Sequence, residues 1–243
     1  MAESKLKVIL LRYTPNPEEI VAQAARLCYS PASVDDLTKQ VKTKDLASFI
    51  EKLTDMRHLS PVEHVTFTFG IEGISRACSH QIVRHRLASY SQQSQRYVGQ
   101  QSKKSGGFHF IVPPSIEKIG GKQWFIEKME TIQKWYDELV EMLGNKGESA
   151  FEDARFLLPN AAETKIIITM NARELLHFFR VRCCNRAQWE IRAMATEMLR
   201  QVKQVSPHIF KDAGPGCVND KCPEGNMTCG KIAEVREKFK TLS

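Results

Sequence analysis

The 243-residue chain contains no run of about 18 consecutive apolar residues, so a membrane-spanning helix is excluded. The N-terminal residues Met1 to Lys7 carry mixed charges and lead only into the short apolar run Val8 to Leu11, which lacks the hydrophobic region of a secretory signal. Both absences point to a cytoplasmic protein without a membrane partner. Internal repeats and low-complexity segments are also missing. The seven cysteines are an odd number for a disulfide framework, and in the cytoplasm their thiols stay reduced. Nor is there a concentrated basic run: the formal net charge is +7, but Lys and Arg are spread from Lys5 to Lys240. Such a balance favours anionic partners without implying nucleic acid.

What is present suits a soluble globular protein with a buried core, since hydrophobic residues make up 42% and charged residues 26%. The length fits one mixed α/β (α+β) domain, residues 1–213, with a central sheet and a larger helical half. A tail rich in Cys, Gly and Pro follows over 214–243, loop-like from Gly214 to Gly230 and closing on a short basic helix, Ile232 to Phe239.

Strands are expected at Lys7 to Tyr13, from His64 to about Gly73, at Phe108 to Val112 and at Thr164 to Met170, where β-branched and aromatic residues gather between turn signals. Asn16, Pro17, Glu18 and Glu19 read as a helix start, with Asn16 as cap, for a helix reaching about Cys28. A second helix capped by Ser33 or Thr38 would carry Leu46, Phe49, Ile50 and Leu53 at helical spacing. Further helices are expected over Ser75 to Arg86, Gln123 to Leu143, Glu148 to Leu158, from Asn171 as cap through Phe179, and over Ala187 to Val202. Leu87 to Gln101, rich in Ser, Gln and Tyr without apolar periodicity, reads as a loop.

The most unusual segment runs from Arg84-His85-Arg86 through Ser89, Tyr90, Ser91, Gln92, Gln93, Ser94, Gln95 and Arg96 to Tyr97. Guanidinium forks match phosphate oxygens in bidentate fashion, and hydroxyls and amides suit a nucleobase edge. By itself, such a segment is equally a solvated basic helix end held by the helix dipole.

The spacing decides more. Arg84-His85-Arg86, seven further residues and then Ser94 resembles the signature of the flavin-dependent thymidylate synthases. Three other segments are similar to that family in order and spacing: His58-Leu59-Ser60-Pro61-Val62-Glu63-His64; Glu152-Asp153-Ala154-Arg155 up to Pro159; and Asn171-Ala172-Arg173 with His177, Arg182 and Ala187 to Arg192. The resemblance implies a homotetramer whose active sites are shared between subunits. It implies FAD held by Ser60, Glu63, Arg84, His85, Arg86, Asn171, Arg173 and His177, with His58 near the flavin ring and Gln92 beside it. The nucleotide, dUMP, would be held by Gln81, Arg84, Gln92, Gln93, Ser94, Gln95, Arg96, Arg155 and Arg182. The family often has Glu at the position of Gln92 and Asn at that of His177; both replacements still form hydrogen bonds, but Gln92 removes a negative charge and with it any acid or base role.

The implied reaction is the reductive methylation of dUMP to dTMP. 5,10-Methylenetetrahydrofolate gives the carbon, NADPH reduces FAD, and tetrahydrofolate is released. Arg182 would sit by N3 and O4 of the pyrimidine and stabilise charge pushed into the ring, the task that conventional thymidylate synthases accomplish with a Cys thiolate. Cys183 and Cys184, although next to Arg182, read as buried small hydrophobes. Cys217, Cys222 and Cys229 would need a fourth ligand such as His208 to bind zinc, and are read as free thiols with no metal. His64, His80 and His109 are assigned no role. Two other functions compete: an NADPH–flavin reductase without methyl transfer, and a basic nucleic-acid-binding module with Tyr90 and Tyr97 stacking on bases.

Overall fold

A computed structural model describes residues 1–41 and 45–242. Its sheet has four strands, β1 (Lys7–Tyr13), β2 (Thr66–Ser75), β3 (Ala88–Gln92) and β4 (Glu163–Asn171), in the order β1-β2-β4-β3. Both central strands alternate as a half-buried strand should. In β2 the buried set is Phe67, Phe69, Ile71, Gly73, Ile74 and Ser75, and in β4 it is Thr164, Ile166, Ile168 and Met170. β2 and β4 are antiparallel, because Ala172 N donates to Val65 O at one end and Arg76 N to Ala162 O at the other. β1 and β2 are antiparallel as well: Thr14 pairs with Thr66, and Gly73 lies against Lys5.

Two compact units are distinguishable, each assembled from separated stretches of chain. The first comprises Met1–Lys7, Ile71–Arg84 and Tyr90–Ile167; the second comprises Val8–Gly70, His85–Ser89 and Ile168–Ser243. In the first, the helix Lys122–Met142 buries Met129, Gln133, Tyr136 and Val140, one stripe at helical spacing. Met129 packs with Phe108, Phe110, Val112 and Ala162, and Tyr136 and Val140 pack with Ala150 and Ala154. Gln133 is satisfied inside, accepting from Phe108 N at 2.8 Å and donating to Gln100 O at 2.9 Å. The second unit is built on a run of aromatic edges, with Phe210 against Phe67 at 5.5 Å and against Phe179 at 6.0 Å, and Phe179 against Phe178 at 6.0 Å. Each fully buried ring of this kind contributes about 1.5–3 kcal/mol through burial. Among the described residues no helix is long and apolar enough to cross a membrane.

Several expectations need correction. Phe108–Val112 forms only isolated bridges through Phe110, to Glu3 and Ala162, because the bounding glycines and prolines leave no room for a continued ladder. The segment after Leu87 is not all loop: Ala88–Gln92 is an edge strand, unmarked by apolar alternation because an edge strand need bury little. The helix expected up to Arg86 spans Arg76–Ile82 and stops before Arg84. Asn16 does start the helix Pro17–Leu27, but from a left-handed backbone (φ 46°) and without a side-chain cap. The single helix expected from residue 33 or 38 through Leu53 is two, Val34–Val41 and Leu46–Asp55; Ser33 Oγ accepts from Asp36 N, and Asp45 caps the second. Residues 42–44, which that single helix would have crossed, lie outside the described residues. At the start of the tail, Ala213, Gly214, Pro215 and Cys217 are buried, so this end of the expected loop is packed.

Gly73 illustrates how tightly the segment before β1 approaches β2. Its φ is +69°, and a Cβ there would lie 1.9 Å from Lys5 O. Gly73→Ala should therefore cost on the order of 2 kcal/mol or more and lower the apparent Tm by several degrees in a thermal melt. An unchanged melt would contradict this packing.

Candidate active site

β4 ends at Asn171, whose Oδ1 accepts from Glu174 N at 2.8 Å and so starts the helix Ala172–Arg182. Helical spacing then sorts the side chains by face. Arg173, His177 and Arg180 are exposed, whereas Glu174, Leu175, Phe178 and Phe179 are buried. The Arg84-His85-Arg86 triplet lies in the turn after the preceding helix, where Arg84 and Arg86 point to solvent and His85 is only 8% exposed.

His85 is the hub of the second unit's polar interior. Its ring packs edge-on against Phe178 with centroids 4.8 Å apart, and lies 5.9 Å from the ring of His177. Nδ1 is 3.1 Å from Glu174 Oε1, and Arg182 Nε donates to Nε2 at 3.0 Å. A guanidinium Nε always carries a proton, so Nε2 must be the bare acceptor and Nδ1 must be the N–H that donates to Glu174. Desolvation is the strongest influence on the imidazole and pushes its pKa below the ordinary histidine value; Glu174 opposes this, while Arg182 and His177 add to it. The neutral form that the hydrogen bonds require is thus the form that the surroundings favour.

The second unit also holds His58, Ser60, Glu63, Arg86, Asn171, Arg173 and His177, which the resemblance assigns to the flavin. Arg173 pairs with Glu63, and His58 packs edge-on against Tyr29 at 5.9 Å. Ser60, exposed, precedes the 3-10 turn Pro61–His64. Asn171 is engaged as the helix cap described above. A cavity of about 390 Å³ opens beside Arg173 and His177, walled by Leu59, Leu176, Ile209 and the 212–216 segment. Arg57 and Arg180 also line it, both facing Asp220 at 3.1 and 3.9 Å. Sequence reading overlooked Arg57, Arg180 and Glu174; Glu174 was findable as the acid three residues after a helix cap, a position usually explained by capping alone.

Most of the expected nucleotide set belongs to the first unit. Gln92 Nε2 donates to Thr164 Oγ1 at 3.0 Å, and Arg76 Nη1 approaches the same hydroxyl at 3.4 Å. Burial and then neighbouring Arg155 hold the Arg76 guanidinium below its ordinary pKa, so two cations share one locality and suit an anion between them. Arg76 was also overlooked. Arg155 Nε donates to Glu152 O at 3.0 Å. Arg96 pairs with Glu148 at 2.9 Å and Glu152 at 3.7 Å, and its guanidinium stacks 4.6 Å over the Tyr97 ring. Ser94 Oγ accepts from Arg96 N and Tyr97 N, which closes the turn. Gln93 ties its backbone N–H to Lys165 O, and Gln81 and Gln95 are half-buried. Of the assigned residues, Arg84 and Gln92 fall in the first unit apart from the other flavin residues, and Arg182 falls in the second apart from the other nucleotide residues.

A family model described as thymidylate synthase complementing protein matches residues 9–208. The chain belongs to this family. It is 56% identical over 239 residues to a flavin-dependent thymidylate synthase of Geobacter sulfurreducens, covering 98% of this chain and 100% of the relative. It is 52% identical over 246 residues to the enzyme of that name from Clostridium tetani, covering 96% and 97%. Among solved structures it resembles a UMP/dUMP methylase, PolB from Streptomyces cacaoi bound with 5-Br dUMP, with a TM-score of 0.72 and 22% identity over 86% of this chain and 95% of that one. At that identity the likeness is one of fold.

The cysteine environments differ sharply. Cys183, beside Arg182, is 2% exposed, and burial pushes its thiol up to about 12. Burial also raises Cys217, whereas hydrogen bonds from the Lys231 backbone and the Asn185 side chain lower Cys229. Among the described residues no three His, Cys, Asp or Glu side chains are grouped to hold a metal ion. Peptide mapping after brief iodoacetamide treatment of the native protein near pH 7.5 should find Cys229 alkylated well before Cys183. Faster labelling of Cys183 would overturn this account of the thiols.

Proposed function

We propose that this chain is a flavin-dependent thymidylate synthase that converts dUMP to dTMP with 5,10-methylenetetrahydrofolate as carbon donor, FAD as cofactor and NADPH as reductant. The observation that carries the reading is near-full-length similarity to enzymes of that name, joined to a local structure in which Arg182 is held against a buried imidazole. Tetrahydrofolate leaves unoxidised because the electrons come from NADPH by way of the flavin.

The residues fit an anionic flavin nucleotide. The cavity beside Arg173 and His177 is large enough for part of such a molecule, its Leu and Ile wall suits a ring, and its guanidiniums suit phosphate oxygens. Bound FAD supplies hydride chemistry that no side chain can. Ser60, Glu63, Arg84, Arg86, Asn171 and Arg173 would hold it, with His58, His177 and Gln92 near the ring. The resemblance adds His85, but both its ring nitrogens are engaged within the chain, so it is not counted among the groups that hold the flavin.

For the nucleotide, Arg155 and Arg96 suit the dianionic phosphate, aided by the backbone and side chains of the Gln81, Arg84 and Gln92–Gln95 region. The ion pairs of Arg96 with Glu148 and Glu152 are solvent-exposed and weakened by water screening, so a phosphate can exchange for them. Arg182 places a cation where O4 gathers charge as C5 attacks the one-carbon unit, and a preorganised donor of that kind is worth roughly 3–4 kcal/mol of barrier. We further assign a homotetramer with shared sites in the cytoplasm, and a Cys-rich tail over 214–243 appended to the 1–213 domain. Large apolar side chains exposed on the single chain, Leu87 at 73% and Phe156 at 85%, adjoin Arg86 and Arg155 and suit subunit contact beside the site.

Arg182→Ala should reduce dTMP formation by at least about 100-fold while the purified variant keeps its flavin absorbance. Parallel loss of flavin and turnover would show that Arg182 serves the cofactor instead.

A further inference from the structure

Glu174 is assigned no role by the resemblance, yet it is a carboxylate at 7% side-chain exposure that sits at one end of a hydrogen-bonded line through His85 to Arg182. A charge so buried is costly unless paired and hydrogen-bonded, and a hydrophobic residue in its place would pack more cheaply. Its presence there calls for an explanation in terms of what the line controls. An arginine side chain carries several soft torsions, and its guanidinium fork is useful to a developing charge only when held within a fraction of an ångström.

We propose that Glu174 and His85 are positioning residues for Arg182: Glu174 fixes the Nδ1–H tautomer of His85, and the bare Nε2 then accepts the Arg182 Nε–H and sets the orientation of the guanidinium toward the pyrimidine. The inference rests on the reading of Arg182 as the residue that meets the nucleotide. The fold supplies each part of the line. Glu174 and Arg182 are eight residues apart on one helix, about two turns, and so share a face. His85 is inserted between them from the turn that follows Ile82 and is held edge-on by Phe178. No proton need cross the line; its role is geometric.

This account makes the imidazole's charge decisive. A protonated His85 would present Nε2–H to Arg182 Nε–H, donor against donor and cation against cation, and the guanidinium would turn away. The charged or titratable groups around it are Glu174, His177 and Arg182 on the packed helix, with Arg84 and Arg86 as its chain neighbours. Of these only Glu174 favours protonation. Turnover should therefore be full while His85 is neutral and fall as the pH drops through its depressed pKa.

The test compares three variants of the FAD-loaded enzyme with dUMP, folate and NADPH. His85→Gln can donate to Glu174 and accept from Arg182 at once, and should keep kcat within about fivefold. His85→Phe combined with Glu174→Gln keeps the ring contact with Phe178 and strands no buried charge. It should lower kcat by about 30-fold, with the KM for dUMP moving less than threefold and with flavin content and NADPH-driven flavin reduction unchanged. Glu174→Gln alone removes the one group that raises the His85 pKa, and should shift the acid limb of the kcat profile to lower pH. Near-normal kcat in the double variant overturns the proposal, as does loss of turnover in proportion to lost flavin, which would make His85 a cofactor ligand. If the double variant is not recovered folded, an unmoved acid limb in Glu174→Gln overturns it alone. Failure of the unmodified protein to form any dTMP would instead refute the functional reading beneath it.

Discussion

A carboxylate taken out of water must find a partner within hydrogen-bond reach, and in this chain that requirement fixes the site. Glu174 meets it with His85, and His85 in turn takes Arg182. The two outer groups come from one helix and the middle one from a turn almost ninety positions earlier, at a separation of 89 residues from Glu174. Folding must bring that turn onto the helix before these two hydrogen bonds can form. The arrangement therefore couples the packing of Phe178 against His85 to the orientation of the Arg182 side chain.

The remaining arginines are held differently. Arg57, Arg96, Arg173 and Arg180 lean on Asp or Glu side chains that are themselves largely exposed. Pairs of that kind contribute little to stability because water screens them and long side chains lose entropy on pairing. Their weakness suits binding, since an incoming phosphate or carboxylate can replace the internal acid at small cost. Arg182 thus leans on a buried imidazole, whereas the other four lean on surface acids. Arg76 and Arg155 form a third type, two cations in one locality where an anion relieves the repulsion.

Much of this was legible in the residues. The strands β1, β2 and β4 follow from β-branched and aromatic residues gathered between turn signals, and the helix Lys122–Met142 from an apolar stripe at helical spacing. The four motif segments pointed to the family, because reaction chemistry constrains residue type at fixed spacing, and the family model matches residues 9–208. What escaped has physical causes. β3 carries Ser, Tyr and Gln because an edge strand satisfies its backbone without burying a face. Phe108–Val112 has the composition of a strand, but a long-range bridge to Ala162 rather than a ladder decides its conformation. Glu174 carries the local pattern of a helix-start acid, and its pairing depends on where His85 arrives, a tertiary fact with no local signal. The turn at Arg84–Arg86 follows the same rule: the basic triplet was visible, while the inward turn of its middle residue was not.

The central claim is that a neutral His85, protonated on Nδ1, holds Arg182 through Nε2. Neutron diffraction from deuterium-exchanged crystals near pH 7.5 would locate those hydrogens directly. The account predicts one deuteron on Nδ1 directed at Glu174, none on Nε2, and the Arg182 Nε deuteron directed at the bare nitrogen. A deuteron on Nε2, whether from the other tautomer or from an imidazolium, would contradict it.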